Sequence, residues 1–264
     1  MSSSPAAAGP VEQPASSESM PAAFGVLRAD QLPAWLPPVL ATLYAGYADG
    51  DSGNSDASRW AHRLAGLVAE RGAALVVLHD WQARTVVPMM AESAAAAGLT
   101  APAALALQQL HARAAAGERF GEAGWRAVLE PALRELYRHA YGYAEAYTSA
   151  HASASAYAQA NDFTEQGAVS FAESYAAMSA GANRDSFAEA NAVANAAVLA
   201  AAYATGDPQA YAEAYPFALV QACAHAWANT AEPEGQPGDP ARRRQPAYAR
   251  LAKGLADSCA AALG

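Results

Sequence analysis

Cysteine is nearly absent: Cys223 and Cys259 are the only two in 264 residues, and neither CxxC nor Cys/His zinc spacing accompanies them. A disulfide framework and a structural zinc are thereby excluded, and a reducing cytoplasm is the expected setting. The first residues lack the basic and apolar regions of a signal peptide, and no run approaches the roughly 18 apolar residues of a membrane span. Positive charge is also scarce. The formal balance is −9, with Lys253 the sole lysine. Such a surface repels phosphate backbones and anionic lipid, so neither nucleic acid nor membrane is an expected partner. Phosphate cradles, Rossmann turns, zincin helices and EF-hand loops find no match either.

What the chain has in abundance is alanine, concentrated between His139 and Asn229, where one five-residue phrase returns. It reads Tyr143-Ala-Glu145-Ala-Tyr147, Tyr157-Ala-Gln159-Ala-Asn161, Phe171-Ala-Glu173-Ser-Tyr175, Phe187-Ala-Glu189-Ala-Asn191 and Tyr211-Ala-Glu213-Ala-Tyr215. Alternation of alanine with something larger has the period of a strand. Alanine, glutamate and glutamine nevertheless favour helix and are depleted in sheets, so the tract reads as helix. On a helix, His139, Tyr143, Tyr147 and His151 form one stripe, and alanine seams between such stripes let neighbouring helices pack closely. Breaks at Asn161-Asp162, at 181–185 and at Gly206-Asp207-Pro208 divide the tract into about four helices, with Asp162, Asp185 and Asp207 as caps.

Residues 1–30 are rich in Ser, Pro and Ala and read as a disordered tail, since they hold too little apolar surface to offset the entropy of ordering. An all-α domain over 31–231 follows, then a Pro/Gly-rich linker at 232–246 and a last helix over 247–264. Within the domain, Trp35 leads into a helix near Pro38, and Ser55 or Asp56 caps a helix through Glu70. The apolar run 73–78 competes between strand and helix, and reads as helix because no second run exists to pair with it. Pro88 ends or kinks it. Gly98 and Gly117 punctuate the next pieces, and Trp125, Leu129, Leu133 and Leu136 mark a core stripe. The expected fold is an all-α multi-helix bundle with a close-packed, alanine-rich core.

The candidate chemistry lies on the tract. Glu145, Glu173, Glu189 and Glu213 offer carboxylates from several helices to one metal, although the Glu-x-x-His spacing of di-iron bundles is missing. Asp162 with Glu165, and Asp185 with Glu189, suit Mg²⁺ or another divalent cation. This resembles in outline the metal sites of all-helical isoprenoid synthases, but neither a DDxxD motif nor an Asn/Ser/Glu triad is present. His79 and His139 read as buried, hydrogen-bonded histidines. The expected function is non-catalytic binding of a cationic or amphipathic partner, as in an adaptor, carrier or immunity-like protein, through Tyr143, Tyr147, His151, Tyr157, Tyr175, Tyr211 and Tyr215. The alternative is a metal-dependent enzyme that holds a small apolar, isoprenoid-like substrate in an aromatic-lined cavity.

Overall fold

A computed structural model describes residues 21–25, 27–49, 53–71, 74–141, 143–230 and 240–261. The expected tail before residue 21 and the linker at 231–239 lie outside these residues. Among the described residues all regular structure is helical and no strand occurs. The α-helices are α1 (Leu36–Ala48), α2 (Gly53–Arg71), α3 (Leu75–Trp81), α4 (Val87–Ala96), α5 (Pro102–Ala115) and α6 (Glu122–Ala140). The tract continues with α7 (Tyr143–Ala160), α8 (Glu165–Thr205), α9 (Pro208–Glu213) and α10 (Pro216–Thr230), and α11 (Pro240–Ala261) closes the chain.

The body packs large side chains. Trp35, Leu36, Leu40, Leu43, Trp81, Met89 and Trp125 are wholly buried, and Leu129, Leu133 and Leu136 extend the α6 stripe into the same core. Two glycines allow helices to approach closely: a Cβ on Gly46 of α1 would collide with the Tyr248 ring of α11, and one on Gly254 of α11 with Thr85. Thr85 belongs to a π-turn, Gln82–Val86, that joins α3 to α4. There the amide of Val87 reaches back to the Gln82 carbonyl, and the widened turn accommodates Pro88, which has no N–H to donate.

Several sequence expectations change. Phe24 lies within the expected tail, yet it is fully buried, with its ring 5.6 Å from Trp60 and 5.9 Å from Tyr44. Helix α2 begins at Gly53, which puts Ser55 and Asp56 inside its first turn rather than at its cap. The last helix starts at Pro240, where proline suits a first turn, and runs on through Pro246.

The expected break at 181–185 does not occur. Helix α8 runs unbroken for 41 residues, about 60 Å at 1.5 Å per residue. Gly181 and Asn183 are poor helix formers, but tertiary contacts cover their weakness. Arg138 stands 3.3 Å from Asp185, Tyr141 stacks on Phe187 at 4.6 Å, and Arg134 holds Glu189. Asp185 is therefore an ion-pair partner inside a helix and not a cap. Asp207 does cap α9, accepting from the Gln209 amide at 2.9 Å.

Helices α6 and α7 follow one another antiparallel along α8, separated at Tyr141. The end of α6 is capped from outside, by Asn229 of α10 donating to the carbonyls of His139 and Ala140. His139 and Tyr147 consequently sit on different helices, and the continuous stripe expected from the sequence is divided. Ala188, Ala192, Ala196 and Ala200 of α8 join the main core. Ala146, Ala150, Ala154 and Ala158 of α7, with Ala172, Ala176 and Ala180 of α8, are buried outside it, as the seam of a two-helix arm.

Candidate functional site

The arm is where most of the sequence-predicted binding residues lie. Its seam repeats alanine every four residues on both helices, so side chains one position away flank the seam and stay partly open. Tyr147 and His151 each follow a seam alanine and stack on one another at 6.1 Å. Tyr157 precedes one, which turns it roughly 80° away from Tyr147 on the helix wheel. The single tyrosine face expected from the sequence is thus two flanks.

At the far end Tyr157, Phe171, Phe163 and Tyr175 form a connected row of rings. The separations are 5.8 Å for Tyr157 to Phe171, 5.4 Å for Phe163 to Phe171 and 6.1 Å for Phe171 to Tyr175. Tyr157 is 57% exposed, Phe163 42% and Tyr175 42%, and Met178 one turn further is 76% exposed.

The tip of the arm explains the row's position. Asp162 adopts a left-handed conformation, φ 55°, and the amide of Phe163 reaches the Ala158 carbonyl at 3.2 Å, the hydrogen bond of a Schellman ending. Thr164 then caps α8, accepting from the Gly167 amide. Asp162 therefore ends α7 and does not start α8, which corrects its expected capping role. Phe163 is delivered to the ring row by this turn.

The remaining predicted residues are dispersed. Tyr211 is 1% exposed, packed against Trp35 and Tyr203 in the body. Tyr215 is exposed between α9 and α10 with φ 52°, an unusual conformation for a bulky side chain. Glu173 is exposed, Glu189 is occupied by Arg134, and Glu213 accepts from Gln209 at 3.1 Å. Asp162 and Glu165 are exposed at the tip, and Asp185 is paired at the arm's base with Arg138. The side chains of Tyr143 and Glu145 fall outside the described residues. Among those described, no three His, Cys, Asp or Glu side chains are grouped closely enough to hold a metal.

A second polar feature lies in the body. His79 of α3 and His111 of α5 are buried with their Nδ1 atoms 3.0 Å apart, and the His79 ring stacks on Trp125 at 5.5 Å. Burial lowers the pKa of His79 to about 4 and that of His111 well below its ordinary value, which leaves both rings neutral near pH 7. One Nδ1–H then donates to the other ring's lone pair. A cavity of about 260 Å³ opens beside this pair, between Val76, Phe120 and Gly206. The sequence identifies His79 as a buried, bonded histidine; its partner, 32 residues away, has no local signal.

Comparison of the chain with protein-family models, with curated proteins and with solved structures returned no match.

Proposed function

We propose that this chain is a non-catalytic helical binding protein whose α7–α8 arm presents its ring row to a cationic, amphipathic helix. The observation that carries the reading is the exposure of Tyr157, Phe163, Tyr175 and Met178 on an arm rich in alanine and serine. Charge selects the partner. Asp162, Glu165 and Glu173 are exposed on the outer arm and have no ion-pair partner among the described residues; the arm's only arginine, Arg184, lies at its base beside Asp185. An amphipathic helix would lay its apolar face on the rings and its lysines toward these acids.

The reading includes a cytoplasmic setting, supported by two buried free thiols and by the lack, among the described residues, of any helix long and apolar enough to cross a membrane. The metal-dependent alternative has no grouped carboxylates to support it among the described residues.

Fluorescence anisotropy with a labelled synthetic helix of Leu and Lys tests the proposal. Saturable binding is expected, weakened by Phe163→Ser with Tyr175→Ser and by added salt, whereas a Leu/Glu helix of the same pattern stays unbound. Equal binding of the two peptides, or binding indifferent to the two ring substitutions, would overturn it.

A further inference from the structure

Four of the chain's 16 basic side chains meet in one groove away from the arm. A groove of about 530 Å³ runs between α2 and α11, with Tyr47 and Trp60 among its lining and Arg59, Arg63, Arg250 and Lys253 around it. In a chain of formal charge −9, this groove holds the only lysine. The spacing explains the gathering: Arg59 and Arg63 stand at i, i+4 on α2, and Arg250 and Lys253 at i, i+3 on α11, so each pair shares a helix face. Trp60 locks the two helices together, donating from Nε1 to the Ala252 carbonyl at 2.7 Å. Small residues, Ala249 and Ala256, leave the groove open on the α11 side.

Several of the cations are already engaged. Arg250 makes a two-pronged contact with Glu92, with Nη2 to Oε1 at 2.6 Å, and Arg59 pairs with Asp56 one turn earlier on its own helix. Arg63 is held loosely, 3.8 Å from Asp257, with both side chains more than half exposed. Lys253 is exposed and has no ion-pair partner among the described residues. Four cations facing three carboxylates leave a surplus of one positive charge beside an aromatic wall.

We infer that this groove binds a phosphomonoester carried on a small flat body, with Lys253 and Arg63 receiving the phosphate and Tyr47, backed by the buried Trp60, contacting the body. A guanidinium and an ammonium approaching from two helices match the several oxygens of a phosphate, and the arginine fork adds directional hydrogen bonds. The aromatic wall favours a ligand with an organic part over the bare ion. Asp56 lies in the same groove and Asp257 pairs with Arg63, and both oppose anions, so a bound phosphate takes the place of Asp257 on Arg63.

Isothermal titration of the full chain with phenyl phosphate, with inorganic phosphate and with phenol separates the contributions. Saturable binding of phenyl phosphate is expected, tighter by about tenfold than inorganic phosphate, with phenol undetected. Lys253→Gln and Arg63→Gln should each weaken it about tenfold, the effect of one charge-assisted contact. Both side chains are exposed, and circular dichroism of each variant confirms that the fold is kept. Arg119→Gln, outside the groove, should leave the affinity unchanged.

Vesicles containing phosphatidic acid serve as the other arm, since a lipid headgroup offers the same phosphate chemistry. Binding of vesicles without binding of soluble phenyl phosphate would overturn the inference. So would equal affinity for phenyl phosphate and inorganic phosphate, or an affinity that neither groove substitution alters. None of these outcomes bears on the arm, whose test uses a cationic peptide.

Discussion

The Nδ1 atoms of His79 and His111 approach to 3.0 Å inside a wall formed by Trp125 and Tyr203, which packs both rings at centroid distances of 4.9 to 5.5 Å. Two neutral imidazoles satisfy one another there, and a second proton would remove the acceptor.

Stability should therefore fall with acid. His79 has a folded pKa near 4 against 6.5 unfolded, so the unfolded chain binds more protons between these values. The contribution is complete above pH 6.5 and is lost progressively as pH falls toward 4. For a lowering of this size the loss is on the order of 3 kcal/mol. His225, lowered to about 4 by burial, adds to the same slope. Urea midpoints measured from pH 7 to 4.5 should decline, and His79→Phe with His111→Leu should flatten the decline. A midpoint constant over that range would contradict the buried neutral pair.

The alanine seam of the arm predicts a contrast between neighbours. Ala154 is 3% exposed between α7 and α8, whereas Ala152 is exposed on the same helix. Replacing Ala154 with Leu forces extra carbons into a closed contact, at about 1–3 kcal/mol. Ala152→Leu should be nearly neutral because the two residues have similar helix propensity. Denaturation followed by helical ellipticity checks both, and equal midpoints would mean that the seam is not closely packed.

Two helical glycines should respond to alanine with opposite signs. At Gly181 a Cβ meets nothing within 4 Å, so Gly181→Ala should stabilise α8 by about 0.5–1 kcal/mol. At Gly254 the same atom would strike Thr85 of the buried π-turn, and Gly254→Ala should lower the melting temperature. Stabilisation at Gly254 would show that α11 and the π-turn are further apart than described.

Phe24 should anchor the start of the chain to the body. Removing its ring by Phe24→Ala leaves a void between Tyr44 and Trp60 and should cost about 3 kcal/mol. Deleting residues 1–20 should leave the melting temperature nearly unchanged, and deleting 1–28 should lower it. An unchanged midpoint for Phe24→Ala would restore the reading of 1–30 as a tail without contacts.

Helix was legible throughout the sequence because propensity and periodicity are local: alanine, glutamate and the Trp125-to-Leu136 spacing decide it within a few turns. The seam was legible for the same reason, since Ala154 and Ala158 recur at one helical step and both are buried. The capping role of Asp207 followed from its place before Pro208. What the sequence could not decide was which faces meet. Gly181 and Asn183 signalled a break that Arg138–Asp185 and Tyr141–Phe187 prevent. Tyr211 looks like Tyr157 in its phrase, yet one is buried against Trp35 and the other is exposed. His79 meets His111 across 32 residues, and Trp60 meets Ala252 across 192. Contacts of that kind depend on the packing free energy of distant segments, which no local pattern encodes, so tertiary structure alone placed the histidine pair and the cationic groove.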